Sequence, residues 1–200
     1  MKEQDYIRDI AEIRSMMERS SKFLSLYGGS GILAGIYALA GAYIAVYIFN
    51  FNPDQISYET NSSGSIVLLG LTVLALALGS AIYLSFRKAQ KRGEKIWNTV
   101  SKRLMVHMAA PLVAGGFLIL ILMFKNLVGL VAPISLLFYG IALFNAGIFT
   151  YKEVKALGLF QILLGLLGCY FVEYGLFLWA LGFGILHIFY GIYLYYKYER

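Results

Sequence analysis

The chain has 200 residues, of which 60% are hydrophobic and 14% are charged, with a formal net charge of +6. A soluble domain of this size carries about half apolar and about a quarter charged residues, so its interior could not hide so much apolar surface. An ordinary soluble domain is therefore excluded, and the composition indicates a protein that lipid covers in part.

The first predicted element is an amphipathic helix at residues 1–22, before the first apolar stretch. Ile7, Ile10 and Met17 recur at helical spacing, and charged residues fill the opposite face. One interpretation is a helix that lies against the membrane surface on the cytoplasmic side. The other is a docking helix whose apolar stripe binds a groove on a cytosolic partner.

Residues 23–200 are predicted to form a transmembrane domain of six helices. The apolar stretches 104–150 and 154–196 are each too long for one crossing of ~30 Å of hydrocarbon, because a helix rises about 1.5 Å per residue. Each stretch must therefore turn back, the first at Lys125-Asn126 and the second around Glu173. The predicted spans, grouped as three hairpins, are 23–49, 65–86, 104–124, 127–150, 154–173 and 176–196.

The distribution of basic residues predicts the orientation of this bundle. If both termini are cytoplasmic, every Lys and Arg except Lys125 lies in a cytoplasmic segment, whereas the outer loop 50–64 has two acids and no base. We therefore expect an all-α integral membrane protein with its N-terminus and C-terminus inside. Bases spread over separate loops also argue against a nucleic-acid partner, which requires them on one module.

The predicted inner loop at residues 87–103 is both basic and amphipathic. A basic segment at the cytoplasmic face favours contact with the anionic headgroups of the bilayer, and a protein partner is the alternative. The candidate residues for lipid or partner binding are Arg87, Lys88, Lys91, Arg92 and Trp97.

Small residues at helical spacing predict where the spans pack, because in lipid they allow a close approach of helices. The second predicted span has two such stripes, Ala75 with Gly79 and Ala77 with Ala81. These stripes indicate contact surfaces and carry no information about a substrate.

Four polar side chains are expected within the spans: His107, Asn145, Gln161 and His187. Each shares a helical face with small residues, so each is predicted to point toward a neighbouring helix, and together they could form a belt in the inner half of the membrane. In one interpretation, which we favour, they form hydrogen bonds between helices. In the other they line a cavity open to the cytoplasm that carries protons or binds a small polar ligand.

The sequence shows no arrangement typical of an enzyme or a metal centre. Two histidines without a cysteine or carboxylate at comparable depth make a poor metal site. No HExxH motif, P-loop, strand-linked glycine motif or nucleophile triad occurs. We therefore expect no catalytic residue, no metal and no cofactor.

The segment Ile13-Arg14-Ser15-Met16-Met17-Glu18-Arg19-Ser20, followed by Phe23-Leu24-Ser25-Leu26, resembles the start of the first span in a family of small uncharacterised bacterial six-helix membrane proteins. The resemblance extends to the general layout of the spans. It implies a location in the bacterial inner membrane and implies no function.

These patterns predict a non-enzymatic multi-pass membrane protein that acts by association. The partner is a second copy or another protein, contacted through residues 1–22 and 87–103. The alternative is a small transporter or channel whose path passes the four polar residues. A membrane-embedded enzyme is the third hypothesis.

Overall fold

The computed structural model describes residues 27–51, 63–91, 93 and 97–200, so the helix predicted at residues 1–22 lies outside the described residues. The described chain is all helical. Its α-helices are α1 (Gly28–Tyr47), α2 (Ser63–Lys91), α3 (Thr99–Phe124), α4 (Val131–Ala146), α5 (Lys152–Tyr170), α6 (Gly175–Trp179) and α7 (His187–Tyr198). A π-helical segment, Ala180–Leu186, joins α6 to α7, and short 3-10 helices occupy Val128–Leu130 and Val172–Tyr174.

Six helical stretches in the described chain are long and apolar enough to cross a membrane, which confirms the predicted number of spans. They are Gly28–Tyr47, Gly64–Lys91, Thr99–Phe124, Val128–Ala146, Lys152–Tyr170 and the sixth span, Val172–Tyr198. Many large apolar side chains lie on the surface of the bundle, as expected for a protein that faces lipid.

Both predicted turns occur where the sequence indicates them. α3 ends at Phe124, and Asn126 adopts a left-handed backbone conformation with φ of 57°, which asparagine tolerates better than most residues. α5 ends at Tyr170, and the chain enters the 3-10 helix Val172–Tyr174 directly afterwards.

Several helix ends differ from the prediction. α4 covers Val131–Ala146 instead of 127–150, and two other helices extend beyond their predicted limits. α2 continues to Lys91 instead of ending at residue 86, and α3 begins at Thr99 instead of residue 104. α3 begins early because Asn98 caps it: the Asn98 side chain accepts a hydrogen bond from the Ser101 backbone N–H at 2.8 Å. Span prediction follows hydrophobicity, whereas helices continue into polar sequence as long as their end groups find partners.

The sixth span lies between α1 on one side and the α4–α5 pair on the other, and α2 and α3 pack on the flanks against α1 and α4 respectively. α1 and the sixth span are antiparallel, since Gly28 lies beside Gly191 and Gly35 lies beside Gly184. The chain therefore enters α1 and leaves α7 at the same end of the bundle. α4 packs extensively on α5, and the grouping into three hairpins stays a prediction.

Glycine allows these helices to approach to backbone contact. A Cβ atom at Gly191 would lie 2.5 Å from the Gly28 carbonyl oxygen, and one at Gly158 would lie 2.7 Å from the Gly140 carbonyl oxygen. Both distances are far below van der Waals contact, so only glycine fits at these positions. Association of helices in lipid depends on such close packing because the hydrophobic effect contributes little there.

Candidate functional site

A buried polar cluster lies where α4, α5 and the sixth span meet. Gln161 of α5 is fully buried, and His187, the first residue of α7, is 5% exposed. The amide nitrogen Nε2 of Gln161 lies 3.3 Å from Nδ1 of His187. Tyr139 of α4 completes the cluster, because its hydroxyl lies 3.0 Å from Nε2 of His187.

The carbonyl of Gly182, inside the π-helical segment, organises this cluster. It accepts a hydrogen bond from Gln161 Nε2 at 2.9 Å and lies 2.9 Å from His187 Nδ1. A carbonyl oxygen can only accept, so His187 carries a hydrogen on Nδ1; when the ring is neutral, its Nε2 accepts from the Tyr139 hydroxyl. The Oε1 atom of Gln161 is buried and has no hydrogen-bond partner.

Aromatic rings line the same part of the sixth span. The rings of Trp179, Phe183 and His187 follow each other one turn apart, with centroids 5.2 and 5.8 Å apart. Tyr139 packs against both Phe183 and His187 at 4.9 and 5.5 Å. Trp179 donates a hydrogen bond to Ser135 Oγ at 3.1 Å, one turn before Tyr139 on α4.

Sequence reasoning missed Tyr139, although a signal was present. Tyrosines usually lie at the membrane interface, where the hydroxyl reaches water. Tyr139 is in the middle of α4, away from both ends of the span. A tyrosine at that depth requires a hydrogen-bond partner on another helix, and His187 provides it.

The other two predicted polar residues do not join this cluster. His107 is exposed on α3, and its ring contacts Phe149 with a centroid distance of 4.9 Å. Asn145 is partly buried on α4. The structure thus brings together two of the four residues proposed for a polar belt, Gln161 and His187, and places His107 on the outside of the bundle.

At one end of the bundle, two lysines form ion pairs with two glutamates. Glu199 Oε1 accepts hydrogen bonds from the Gly28 backbone N–H and from Lys88 Nζ, both at 2.8 Å. Lys197 pairs with Glu153 at 2.6 Å. These contacts join the start of α1, the end of α2, the start of α5 and the end of α7.

The candidate lipid-binding residues divide between two environments at this end. The Lys88 and Glu199 side chains are only 9% and 7% exposed, so Lys88 holds helices together in addition to any contact with lipid. Arg87 and Lys91 are exposed, and the Arg87 guanidinium lies over the Tyr83 ring. Trp97 is 63% exposed, with a lysine ammonium 5.9 Å from its ring centroid. Arg92 lies outside the described residues.

α2 is the least buried of the described spans. No residue in the most apolar part of α2 is buried, whereas 33% of the residues in the corresponding parts of α1, α4 and α5 are buried. Cβ atoms built at Gly64, Gly70 and Gly79 would meet nothing within 4 Å. The opposite face packs on α1, where a Cβ at Gly41 would meet the Val73 side chain at 2.6 Å.

The fold and these sites define the class of the protein: an all-helical, multi-pass membrane protein with a polar cluster in the bundle. Within the described residues, no three His, Cys, Asp or Glu side chains come close enough to hold a metal ion. Comparisons with protein-family models, with curated proteins and with solved structures found no match.

Proposed function

We propose that this chain is a non-enzymatic membrane protein that acts by association in the bilayer, with a second copy of itself as the partner. The proposed contact is the outer face of α2, which is defined by four exposed residues about one turn apart, Leu68, Thr72, Ala75 and Gly79, and by exposed Phe86 two turns further on. Small residues form the centre of this face and bulky ones form its ends.

The supporting observation is that α2 has two small-residue stripes and α1 covers one of them. Ala77 and Ala81 are partly buried on the side of Val73, which contacts α1. Ala75 and Gly79 lie on the opposite side and are exposed. Elsewhere in the bundle, small residues at this spacing form the tight helix contacts, so a second stripe of the same kind favours another helix as its partner.

The chemistry of the outer face favours a second copy. The face carries no charge, so its partner lies within the bilayer. The Thr72 hydroxyl donates to the Leu68 carbonyl at 2.8 Å, and this leaves no unsatisfied donor that would require a polar partner. A two-fold axis beside Ala75 and Gly79 would pack the same small residues from two copies against each other, and two-fold dimers are the commonest closed assembly.

We further propose that the basic end of the bundle faces the cytoplasm and contacts anionic headgroups through Arg87, Lys91 and Trp97. The excess of bases over acids at this end supports the orientation, and the resemblance of residues 13–26 supports a bacterial inner membrane. A role of residues 1–22 in binding a protein partner stays a prediction, since these residues lie outside the described chain.

The alternative function, a small transporter or channel, has weaker support. Its path would pass His107, Asn145, Gln161 and His187, but the structure separates His107 from the buried pair Gln161 and His187. Gln161 Nε2 and His187 Nδ1 both lie 2.9 Å from the Gly182 carbonyl, so the buried pair links α5 to the sixth span through that shared acceptor. That arrangement favours the interpretation of these residues as contacts between helices.

Cysteine cross-linking in membranes tests the proposed dimer. Cys169 is the single native cysteine, so a Cys169→Ser background makes each introduced thiol unique. Ala75→Cys is expected to form a disulfide-linked dimer upon oxidation, whereas Ala77→Cys, on the side of α1, is not. Equal cross-linking at both positions, or none at either, would contradict an interface centred on the outer face.

A bulky substitution measures how much the outer face contributes. Gly79→Leu adds a side chain into open space, so it leaves the monomer intact and is expected to weaken dimerisation at least about tenfold. Gly116→Leu on α3 is the matched control, because a Cβ there also meets nothing within 4 Å. Fluorescence energy transfer between labelled copies in liposomes gives both affinities. An unchanged affinity for Gly79→Leu would refute the proposal.

A further inference from the structure

We propose that His187 is an intramembrane proton-binding site, with the Gly182 carbonyl and the Tyr139 hydroxyl as the acceptors for its two N–H groups. An imidazolium ion has two donors, one at each ring nitrogen. The structure places one oxygen acceptor at each of them, 2.9 Å from Nδ1 and 3.0 Å from Nε2. The proposal is independent of the dimer contact on α2.

The proton-binding step requires little rearrangement. In the neutral state Nδ1–H donates to the Gly182 carbonyl, and the lone pair of Nε2 accepts from the Tyr139 hydroxyl. One proton from the aqueous phase binds the Nε2 lone pair, and no covalent bond is broken. The Tyr139 hydrogen then rotates away from the ring, and the Tyr139 oxygen accepts from Nε2–H. The hydrogen bond at Nδ1 is retained.

Several groups around His187 stabilise a positive charge. Hydrogen bonds from a charged donor are about twice as strong as neutral ones, so both oxygen acceptors gain strength when the ring is protonated. Phe183 stacks on the His187 ring at a centroid distance of 5.8 Å and an angle of 18°, and its face attracts a cation.

The neighbouring helices supply few other groups that titrate. α4 contributes Tyr139, and Tyr190 lies one turn further along α7. α5 contributes the uncharged Gln161, and α1 faces this region with glycine. The three described carboxylates lie in the end regions of the bundle. Two of them pair with Lys88 and Lys197, and the third lies in the turn after α5. Among the groups described around it, His187 is therefore the one imidazole, with a ring nitrogen able to accept a proton.

The packing around the cluster favours a proton over a larger ligand. A Cβ atom at Gly182 would lie 2.5 Å from Gln161 Oε1 and 2.5 Å from Leu136 Cδ2. The space beside Gly182 is thus too small for even one added methyl group. A proton binds at Nε2 without requiring additional volume, and this distinguishes it from an amine or another small cation.

Nitrogen-15 NMR of labelled histidine in liposomes tests the proposal directly. The chain has two histidines, so His107→Gln leaves His187 as the only labelled ring. At about pH 8.5 we expect one protonated nitrogen, assigned to Nδ1, and one unprotonated nitrogen. At about pH 5 we expect both to be protonated, with unchanged helical content by circular dichroism. A ring that stays neutral at about pH 5, or one that carries its hydrogen on Nε2 at about pH 8.5, would overturn the proposal.

A second variant separates the acceptor role of Tyr139 from a merely structural one. Tyr139→Phe removes the oxygen that accepts from Nε2–H, and we expect proton affinity to fall about fivefold, because a charge-assisted hydrogen bond is lost. Tyr196→Phe, at an exposed position of α7, is the control and should titrate as the parent does. Equal affinities in both variants would refute the assignment of Tyr139.

Discussion

The contact between α1 and the sixth span gives a sharp test of the packing argument. Gly191→Ala adds one methyl group where two backbones touch. The nearest atoms to the added Cβ would be the Gly28 carbonyl oxygen at 2.5 Å and the Ile32 backbone nitrogen at 2.7 Å. Neither atom belongs to a side chain that can rotate away, so the two helices must separate.

The size of the effect follows from these distances. Ordinary van der Waals contact begins at 3.4 Å, so the helices must move apart by about 0.9 Å, which is 3.4 minus 2.5. A gap of about 0.5–1 Å forfeits a quarter to a half of each dispersion contact across the interface. Overpacking of this kind costs about 1–3 kcal/mol, and a clash with backbone belongs at the upper end. We therefore expect a loss of about 2–3 kcal/mol in the free energy of unfolding.

The assay is unfolding in mixed micelles by increasing the fraction of sodium dodecyl sulfate, followed by circular dichroism. Gly184→Ala is expected to cost less than Gly191→Ala, because the added methyl meets only the Leu39 side chain, which can move. Gly116→Ala, which meets nothing within 4 Å, is expected to be neutral. Equal stabilities for the Gly191 and Gly116 variants would refute the reasoning.

Two further predictions concern polar contacts and use the same titration. Glu199→Gln is expected to lower the free energy of unfolding by about 2 kcal/mol, because it weakens a charged hydrogen bond to the nearly buried Lys88. Glu153→Gln, at the more exposed pair with Lys197, should lower it clearly less. Gln161→Leu is expected to cost under about 1 kcal/mol, since the lost amide hydrogen bond is offset by removal of an unpartnered carbonyl oxygen. Equal losses for the two glutamate variants, or a loss of several kcal/mol for the leucine variant, would contradict these assignments.

The number of spans and the position of the turns could be predicted because they depend on local composition. A stretch of apolar residues longer than the bilayer must reverse, and Lys125-Asn126 was the one polar interruption in its stretch. Helix ends were predicted less well. The start of α3 depends on a side-chain cap at Asn98, which a hydropathy argument does not consider.

The polar cluster was predicted in part, for a physical reason. Depth and helical face can be counted along the chain, so Gln161 and His187 were identified as inward-facing residues. Which helices become neighbours depends on contacts distant in sequence, and the same counting could not show that His107 lies on the outside. Nor could it place Tyr139 or the Gly182 carbonyl, because that carbonyl becomes available to side chains through the π-helical segment.

The two stripes of α2 show why sequence alone could not separate internal from external contacts. Ala75 with Gly79 and Ala77 with Ala81 have the same composition and spacing, and both satisfy the rule for close helix packing. The difference arises only when α1 occupies the side of Ala77 and Ala81, because one helix cannot cover opposite faces of another. The remaining stripe then either faces lipid or binds another helix. Lipid provides no selection for small residues, so the repeated stripe itself favours a second protein surface, and the pair Ala75→Cys and Ala77→Cys distinguishes the two outcomes.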